Sequence, residues 1–259
     1  MKTSSLLALA VVSLTTAAAG RAQLAVSTGF DYSSGKYGLA EKTKVLTWHA
    51  TAEYSYDAWS TRVYVPYEHV ESPAGTVVIA GRPRLTARLN ARNQGKTHTE
   101  SGIGDAEASV SFDACHDLKN DWSAVITGTV KLATGDEEKG LGTGKKDYAL
   151  GLNLSRNIDR LTPSVGLGYR FVGKPTASDL KDYAYASVGL GWWATDATNL
   201  NVSFDSYQPS SKSSGVDNEL SFGVNQHLGK HWDIEAHILI GLTDAAPDLG
   251  LGCSVSVTF

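Results

Sequence analysis

Residues 249–259, Leu-Gly-Leu-Gly-Cys-Ser-Val-Ser-Val-Thr-Phe, alternate without interruption: Leu249, Leu251, Cys253, Val255, Val257 and Phe259 fall on one face, and Gly250, Gly252, Ser254, Ser256 and Thr258 on the other. Successive side chains of a strand point to opposite faces, so this period of two defines a ribbon that is apolar on one side and polar on the other. A covering must be found for the apolar side, and the candidates are a second protein layer or hydrocarbon.

The same alternation recurs along the chain. Strands are predicted at 24–32, 44–57, 60–70, 104–117, 122–132, 147–157, 162–172, 183–194, 199–207, 218–228, 232–242 and 249–259, twelve in all. In the eleventh, Trp232, Ile234, Ala236, Ile238, Ile240 and Leu242 share one face, and Asp233, Glu235, His237 and Gly241 the other, with Leu239 the apolar exception. In the fourth, Ala106, Ala108, Val110, Phe112 and Ala114 stand against Asp105, Glu107, Ser109, Ser111, Asp113 and Cys115. Carboxylates in mid-strand cannot face hydrocarbon without partners, so the polar faces must enclose a lumen. Six of the seven prolines fall in links or near strand ends, whereas Pro66 lies inside the third strand and suggests a bulge there.

The links sort by length. Short ones (58–59, 118–121, 158–161, 195–198, 229–231) alternate with longer ones (33–43, 71–103, 133–146, 173–182, 208–217, 243–248). Outer-membrane barrels have short turns at the periplasmic end, longer external loops and an even strand count. Apolar-face aromatics sort by height in the same frame: Tyr54, Tyr56, Trp122, Trp192, Trp232 and Phe259 lie by short turns, and Phe30, Tyr32, Trp48, Tyr67, Tyr148, Tyr169 and Phe171 by long loops. Amphipathic rings favour the headgroup level, so these are the two girdles of a bilayer-spanning wall. The fold class expected is all-β, a transmembrane antiparallel up-and-down β-barrel of about twelve strands.

Lys2, an apolar run over 6–14 and small residues at 17–20 and 22 read as a cleaved signal peptide, which divides the chain into a leader at 1–22 and an outer-membrane barrel at 23–259. No stretch approaches the roughly 18 apolar residues of a spanning helix. Loss of Lys2 and Arg21 with the leader leaves 21 of the 23 basic residues against 27 acidic ones, a formal charge of about −6. That balance gives no electrostatic reason for nucleic acid as a partner. Two cysteines are too few for a disulfide scaffold, and parity places Cys115 inward and Cys253 outward.

The inward faces collect Glu53, Arg62, Glu68, Asp105, Glu107, Asp113, Lys131, Arg170, Asp205, Glu219, Asp233, Glu235 and His237, together with His49 and His227, as the candidate lumen lining. The longest link carries Arg82, Arg84, Arg88, Arg92 and Lys96 with no acid between them, a set suited to phosphates of lipopolysaccharide or to folding inward as a plug against an acidic lumen. The glycine-rich stretch at 140–146 lacks the spacing of a phosphate loop and reads as a surface hairpin turn, and Asp136, Glu137 and Glu138 as its solvated tip. No cofactor or metal site is indicated.

The stretch KLATGDEEKGLGTGKKDYALGLNLSRN at 131–157, with Thr134, Gly135, Asp136, Gly140, Gly142, Gly144 and Asp147, and the upstream SGIGDAEASVSF at 101–112, resemble the outer-membrane transporter family associated with the MetA pathway of phenol degradation. Ala133 replaces the usual proline before Thr-Gly-Asp. The resemblance implies a barrel moving a small hydrophobic or aromatic solute. The alternating strand closed by Phe259 resembles the assembly signal of bacterial outer-membrane barrels, which implies the barrel-assembly machinery as a partner, outer-membrane lipids as surroundings and the cell outer membrane of a Gram-negative bacterium as location. The expectation is a channel and not an enzyme. Two other readings stay open: a lipid-modifying enzyme using His69 and Ser72 at the external lipid boundary, and a structural or adhesive barrel that presents loops.

Overall fold

A computed structural model describes residues 22–37, 41–73, 76–79, 82–85, 97–115, 121–175, 178–212 and 214–259, with backbone alone at 77, 79 and 82–85. The predicted leader, apart from residue 22, lies outside the described residues. Numbered in chain order, the strands are β1 (Gln23–Gly35), β2 (Thr43–Tyr56), β3 (Trp59–Ser72), β4 (Thr76–Ile79), β5 (Arg82–Leu85), β6 (His98–Ile103), β7 (Glu107–Asp113), β8 (Trp122–Lys131), β9 (Asp147–Arg156), β10 (Leu161–Phe171), β11 (Tyr183–Trp193), β12 (Thr198–Tyr207), β13 (Asp217–Leu228), β14 (Trp232–Gly241) and β15 (Leu249–Thr258). No helix among the described residues is long and apolar enough to cross a membrane.

Each strand pairs antiparallel with its chain neighbour from β7 to β15, β15 returns to β1, and β1–β2–β3 completes the ring. The Phe259 N–H donates to the Leu24 carbonyl at 2.9 Å, which seals the seam to its end. Closure pairs every wall strand on both sides except β6, at the external end above the bulge, which pairs with β3 alone; a closed wall is the condition for backbone to exist in hydrocarbon. β6 and β7 both pair with β3 and form one wall strand, so the barrel has twelve. The small β4–β5 hairpin lies in the longest link.

The fourth wall strand differs from expectation at both ends. It begins at His98 and is broken by a bulge: Tyr67 faces Ile103 and Tyr64 faces Glu107, so Val65 and Pro66 oppose Gly104, Asp105 and Ala106. Pro66 offers no N–H to the ladder, and the extra residue forms opposite it, with the Gly104 N–H reaching the Pro66 carbonyl at 3.1 Å. The bulge shifts the face phase, so that Ile103 and Val110 both point outward although they are seven positions apart. At its lower end the strand stops at Asp113, whose carboxylate accepts the N–H groups of Cys115 (2.9 Å) and Ala124 (3.2 Å) and the Ser123 hydroxyl (2.9 Å). That side-chain clasp turns the chain at residues 114 and 115, where strand to 117 was expected, and most of the expected link 118–121 lies outside the described residues. Cys115 is therefore a turn residue.

Outward residues form the apolar belt. On β9 Tyr148, Leu150, Leu152 and Leu154 are 56%, 58%, 39% and 40% exposed, while Asp147, Ala149 and Ser155 are buried. Such a surface, continued around the ring by Val165, Leu167, Val188, Leu190, Ile238, Ile240 and Leu251, far exceeds the patches that water-soluble monomers show. The girdles hold: Trp48 and Tyr67 face each other at 6.3 Å near the long loops, and Arg156 lies over the Trp122 ring at 5.4 Å near the short turns. Trp59, expected in a turn, is the first residue of β3 and packs on Phe112 at 4.7 Å in the lower girdle.

Candidate functional site in the barrel interior

Near the external end, Glu107, Lys131 and Asp147 occupy facing positions on β7, β8 and β9, with Arg170 next in line on β10, so the charge alternates in sign across four strands. All four are buried. Lys131 Nζ is paired with Asp105, which the bulge turns inward, and lies 3.8 Å from Asp147. Arg170 Nη1 is 3.1 Å from Glu107 and 3.7 Å from Asp147. Backbone completes the shell, with the Gly135 N–H on Asp105 and the Gly173 N–H on Asp147, both at 2.9 Å. Opposite charges this deeply buried hold together because each desolvated group keeps several partners.

The link 132–146 docks on this network and does not project as a surface hairpin, contrary to expectation. Lys131 donates to Thr143 Oγ1 (3.2 Å) and to the Lys145 carbonyl (2.9 Å). Thr134 staples the bulge, donating to the Gly104 carbonyl and accepting the Ala106 N–H, each at 2.8 Å. Asp136 accepts the N–H groups of Glu138 (2.9 Å) and Lys139 (3.2 Å) and closes the outer turn. Gly144 has φ of 66°, a conformation costly for other residues, and Gly142 packs directly on the Asp105 carboxylate where a Cβ would collide. Leu141 is thereby buried with Val45, Val70 and Val78, and the Val78 N–H to Gly140 carbonyl bond (2.9 Å) ties in the β4–β5 hairpin. Replacement of Leu141 by Ala should favour local opening of this link by about 2–5 kcal/mol. Trypsin cleavage at Lys139, Lys145 and Lys146 in the assembled barrel, at least about tenfold faster than in wild type, is the corresponding readout.

Other external links also fold inward. Val172, Leu180, Tyr183 and Tyr207 form a second buried apolar cluster with Tyr185 against it. The link 172–182 is clasped at its base, where the Val172 N–H (3.0 Å) and then Lys174 (3.1 Å) hold the Asp182 carboxyl below the usual carboxylate range. Tyr37, Ala245 and Ala246 are buried, and the Tyr37 hydroxyl donates to Ser33 at 2.8 Å. Among the described residues, parts of several external links are thus packed at the mouth.

Below the mouth the interior is polar. Asp31 sits between two imidazoles, 3.5 Å from His49 Nε2 and 3.4 Å from His237 Nε2. Tyr64 stacks on His49 at 5.5 Å, Arg62 lies 5.9 Å from the Tyr64 ring centroid, and Glu53 faces Arg62 across β2 and β3. Glu68, Asp205 and Glu219 are buried higher up, with Asp205 and Glu219 in facing positions. Toward the short turns Trp193 stacks on His227 at 5.5 Å, and His227 is paired with Asp233. Glu235 and Asp113 also fall on the more buried face of their strands.

The serine–histidine arrangement does not form. Ser72 is inward and 1% exposed, whereas His69 is outward with Nδ1 2.7 Å from Ser101 Oγ. Arg82 and Arg84 lie on β5, described by backbone alone, and Arg88, Arg92 and Lys96 lie outside the described residues. Among the described residues no group of three or more His, Cys, Asp or Glu is arranged to hold a metal ion.

A closed antiparallel ring, an unbroken apolar belt between two aromatic girdles and a charged interior define a β-barrel of the outer-membrane type. Residues 33–259 match the family described as "Putative MetA-pathway of phenol degradation", and the chain belongs to that family. No curated protein matches the sequence. Among solved structures the fold is similar to that of the KdgM porin in complex with disordered oligogalacturonate (8% identity, 89% of this chain and 98% of that one, TM-score 0.50). It is also similar to the translocator domain of the autotransporter NalP from Neisseria meningitidis (12%, 93% and 88%, 0.52) and to the β domain of the Bordetella autotransporter BrkA (9%, 91% and 98%, 0.52).

Proposed function

We propose that the chain is an outer-membrane channel of a Gram-negative bacterium that passes a small uncharged solute of hydrophobic or aromatic character, its external mouth controlled by inward-folded loops. The observation that carries the reading is the combination of a polar interior, an enclosing lipid-facing belt and a mouth packed by Leu141, Val78, Leu180 and Tyr207. Acids outnumber bases in the interior: Asp31, Glu53, Glu107, Asp113, Asp233 and Glu235 accompany Arg62, Lys131 and Arg170. This disfavours polyanions such as the oligogalacturonate of the similar porin and favours cations among ions.

Three further assignments belong to this proposal. Residues 1–22 serve as a cleaved export signal, Leu249–Phe259 presents the barrel to the assembly machinery, and Arg82, Arg84, Arg88, Arg92 and Lys96 contact lipopolysaccharide phosphates or enter the lumen as a plug. Conductance across planar bilayers tests the channel reading. The expected result is small cation-preferring current steps in the wild type, larger or more frequent in Leu141→Ala; absence of conductance from both proteins would overturn it.

A further inference from the structure

Asp31 stands between two imidazoles that reach it from different strands, and two glycines clear the space. On β1 Asp31 faces Thr47 of β2 on one side and Gly252 of β15 on the other, and Gly252 in turn faces His237 of β14. Strands separated by one neighbour lie roughly 10 Å apart, so His237 reaches Asp31 across the full width of β15, over a residue with no side chain. A Cβ at Gly252 would stand 2.3 Å from Asp31 Oδ1 and 2.5 Å from His237 Cε1. On the other flank a Cβ at Gly29 would stand 2.9 Å from His49 Nε2. The carboxylate meets His49 through Oδ2 at 3.5 Å and His237 through Oδ1 at 3.4 Å.

This group differs from the mouth network in two ways. Lys131 and Arg170 are buried, whereas the inward-pointing side chains of Asp31 and His237 are 18% and 16% exposed, and that open area faces the lumen. The carboxylates of the mouth are held by permanent cations, whereas Asp31 is held by imidazoles, the side chain whose ordinary titration falls between about pH 5 and 8. Its surroundings are acidic. Glu235 is the next inward residue of β14 below His237, Glu53 of β2 faces Arg62 of β3, and Glu68 is buried higher on β3. Gly252 and Ser254 of β15, and Gly223 of β13 opposite His237, bring no charge. Arg62 is thus the one permanent cation beside several carboxylates at this height among the described residues, and it lies by the Tyr64 ring that covers His49.

We infer that Asp31 is the ion-selectivity point of the lumen and His237 its proton-operated control: with the imidazole neutral the carboxylate draws cations, and a proton on His237 cancels that charge and admits anions. The inference rests on the channel reading above and adds the regulation of its ion path. His237 is the imidazole assigned because it is the more open of the two and shares its face with Glu235, whereas a cation at His49 would sit under Tyr64 beside Arg62. The pair His227 and Asp233 near the short turns is 33% and 35% exposed, where water and salt screen its field.

Zero-current potentials across planar bilayers under a KCl gradient test this on the full mature chain. Between about pH 7.5 and about pH 5 the wild-type cation-to-anion permeability ratio should fall by about threefold, the effect of one unit charge a few ångströms from an aqueous path. His237→Gln keeps a donor for Asp31 but takes up no proton, and should hold the ratio nearly constant over that interval. Asp31→Asn should lower the ratio by a similar factor at both ends. Heat-modifiable gel migration verifies assembly of each variant. A wild-type ratio that does not move with pH overturns the inference without recourse to any variant. So does a pH response that survives His237→Gln or is removed by His227→Gln, and so does an Asp31→Asn channel as cation-selective as wild type. All of these outcomes need current to flow, so they refute the control point and leave the channel standing, whereas absence of current removes both.

Discussion

Ile238→Arg will lose assembly or about 2–4 kcal/mol of stability, whereas His237→Arg, one residue away, will be tolerated within about 1 kcal/mol. The two positions share strand, height and backbone hydrogen bonding and differ in face. Ile238 is 43% exposed on the outer wall, opposite Phe222 on β13 and Leu251 on β15, in the middle of the belt. A guanidinium there has only hydrocarbon around it and cannot be paired. His237 points inward to Asp31 at 3.4 Å, and an arginine at that position gains the same carboxylate as a partner. Urea unfolding in lipid vesicles, with heat-modifiable migration as the assembly check, measures both. Equal damage from the two substitutions would contradict the assigned faces.

Lys131→Met will destabilise the barrel by about 3–5 kcal/mol, the cost of leaving buried charge without its partner. Lys131 is 1% exposed and serves Asp105, Thr143, the Lys145 carbonyl and Asp147 at once. Removal of its charge leaves Asp105, Glu107 and Asp147 around the single cation Arg170. The link 132–146 loses its anchor in the same step, so trypsin should reach Lys139 more readily. Lys131→Met combined with Asp105→Leu should cost less than the sum of the two single changes, because the uncompensated carboxylate is gone as well. Additive losses would mean that the two side chains do not act as a pair.

The wall of the barrel was legible in the sequence because a spanning strand has few degrees of freedom. Alternation, link length and aromatic height are each imposed by the bilayer, and the three agree along the chain. Ser155 inward and Leu154 outward on β9 follow from parity alone. The bulge was half legible: Pro66 announced an irregularity, but its location in the facing strand at 104–106 depends on a cross-strand pairing with no local signature. The early stop of β7 was hidden for a related reason, since alternation continues to Cys115 while Asp113 takes backbone N–H groups that the ladder would otherwise use.

The interior was legible as a set of residues but not as an arrangement. Parity identified Asp105, Glu107, Lys131 and Arg170 as inward, yet their convergence with Asp147 depends on the bulge and on the register of four strands. The glycine-rich stretch illustrates the limit. Its composition suits a surface turn, and only Leu141 amid the glycines hinted that the link is buried.

Hydrocarbon covers the outward face. Nitroxide labels at single cysteines replacing Leu150, Leu152, Leu154, Asn153 and Ser155, with Cys115 and Cys253 changed to serine, test it in reconstituted vesicles through collision with oxygen and with a water-soluble nickel chelate. Labels at 150, 152 and 154 should collide preferentially with oxygen, and those at 153 and 155 should not. Oxygen preference without alternation along β9, or nickel access at all five positions, would contradict a bilayer-spanning barrel.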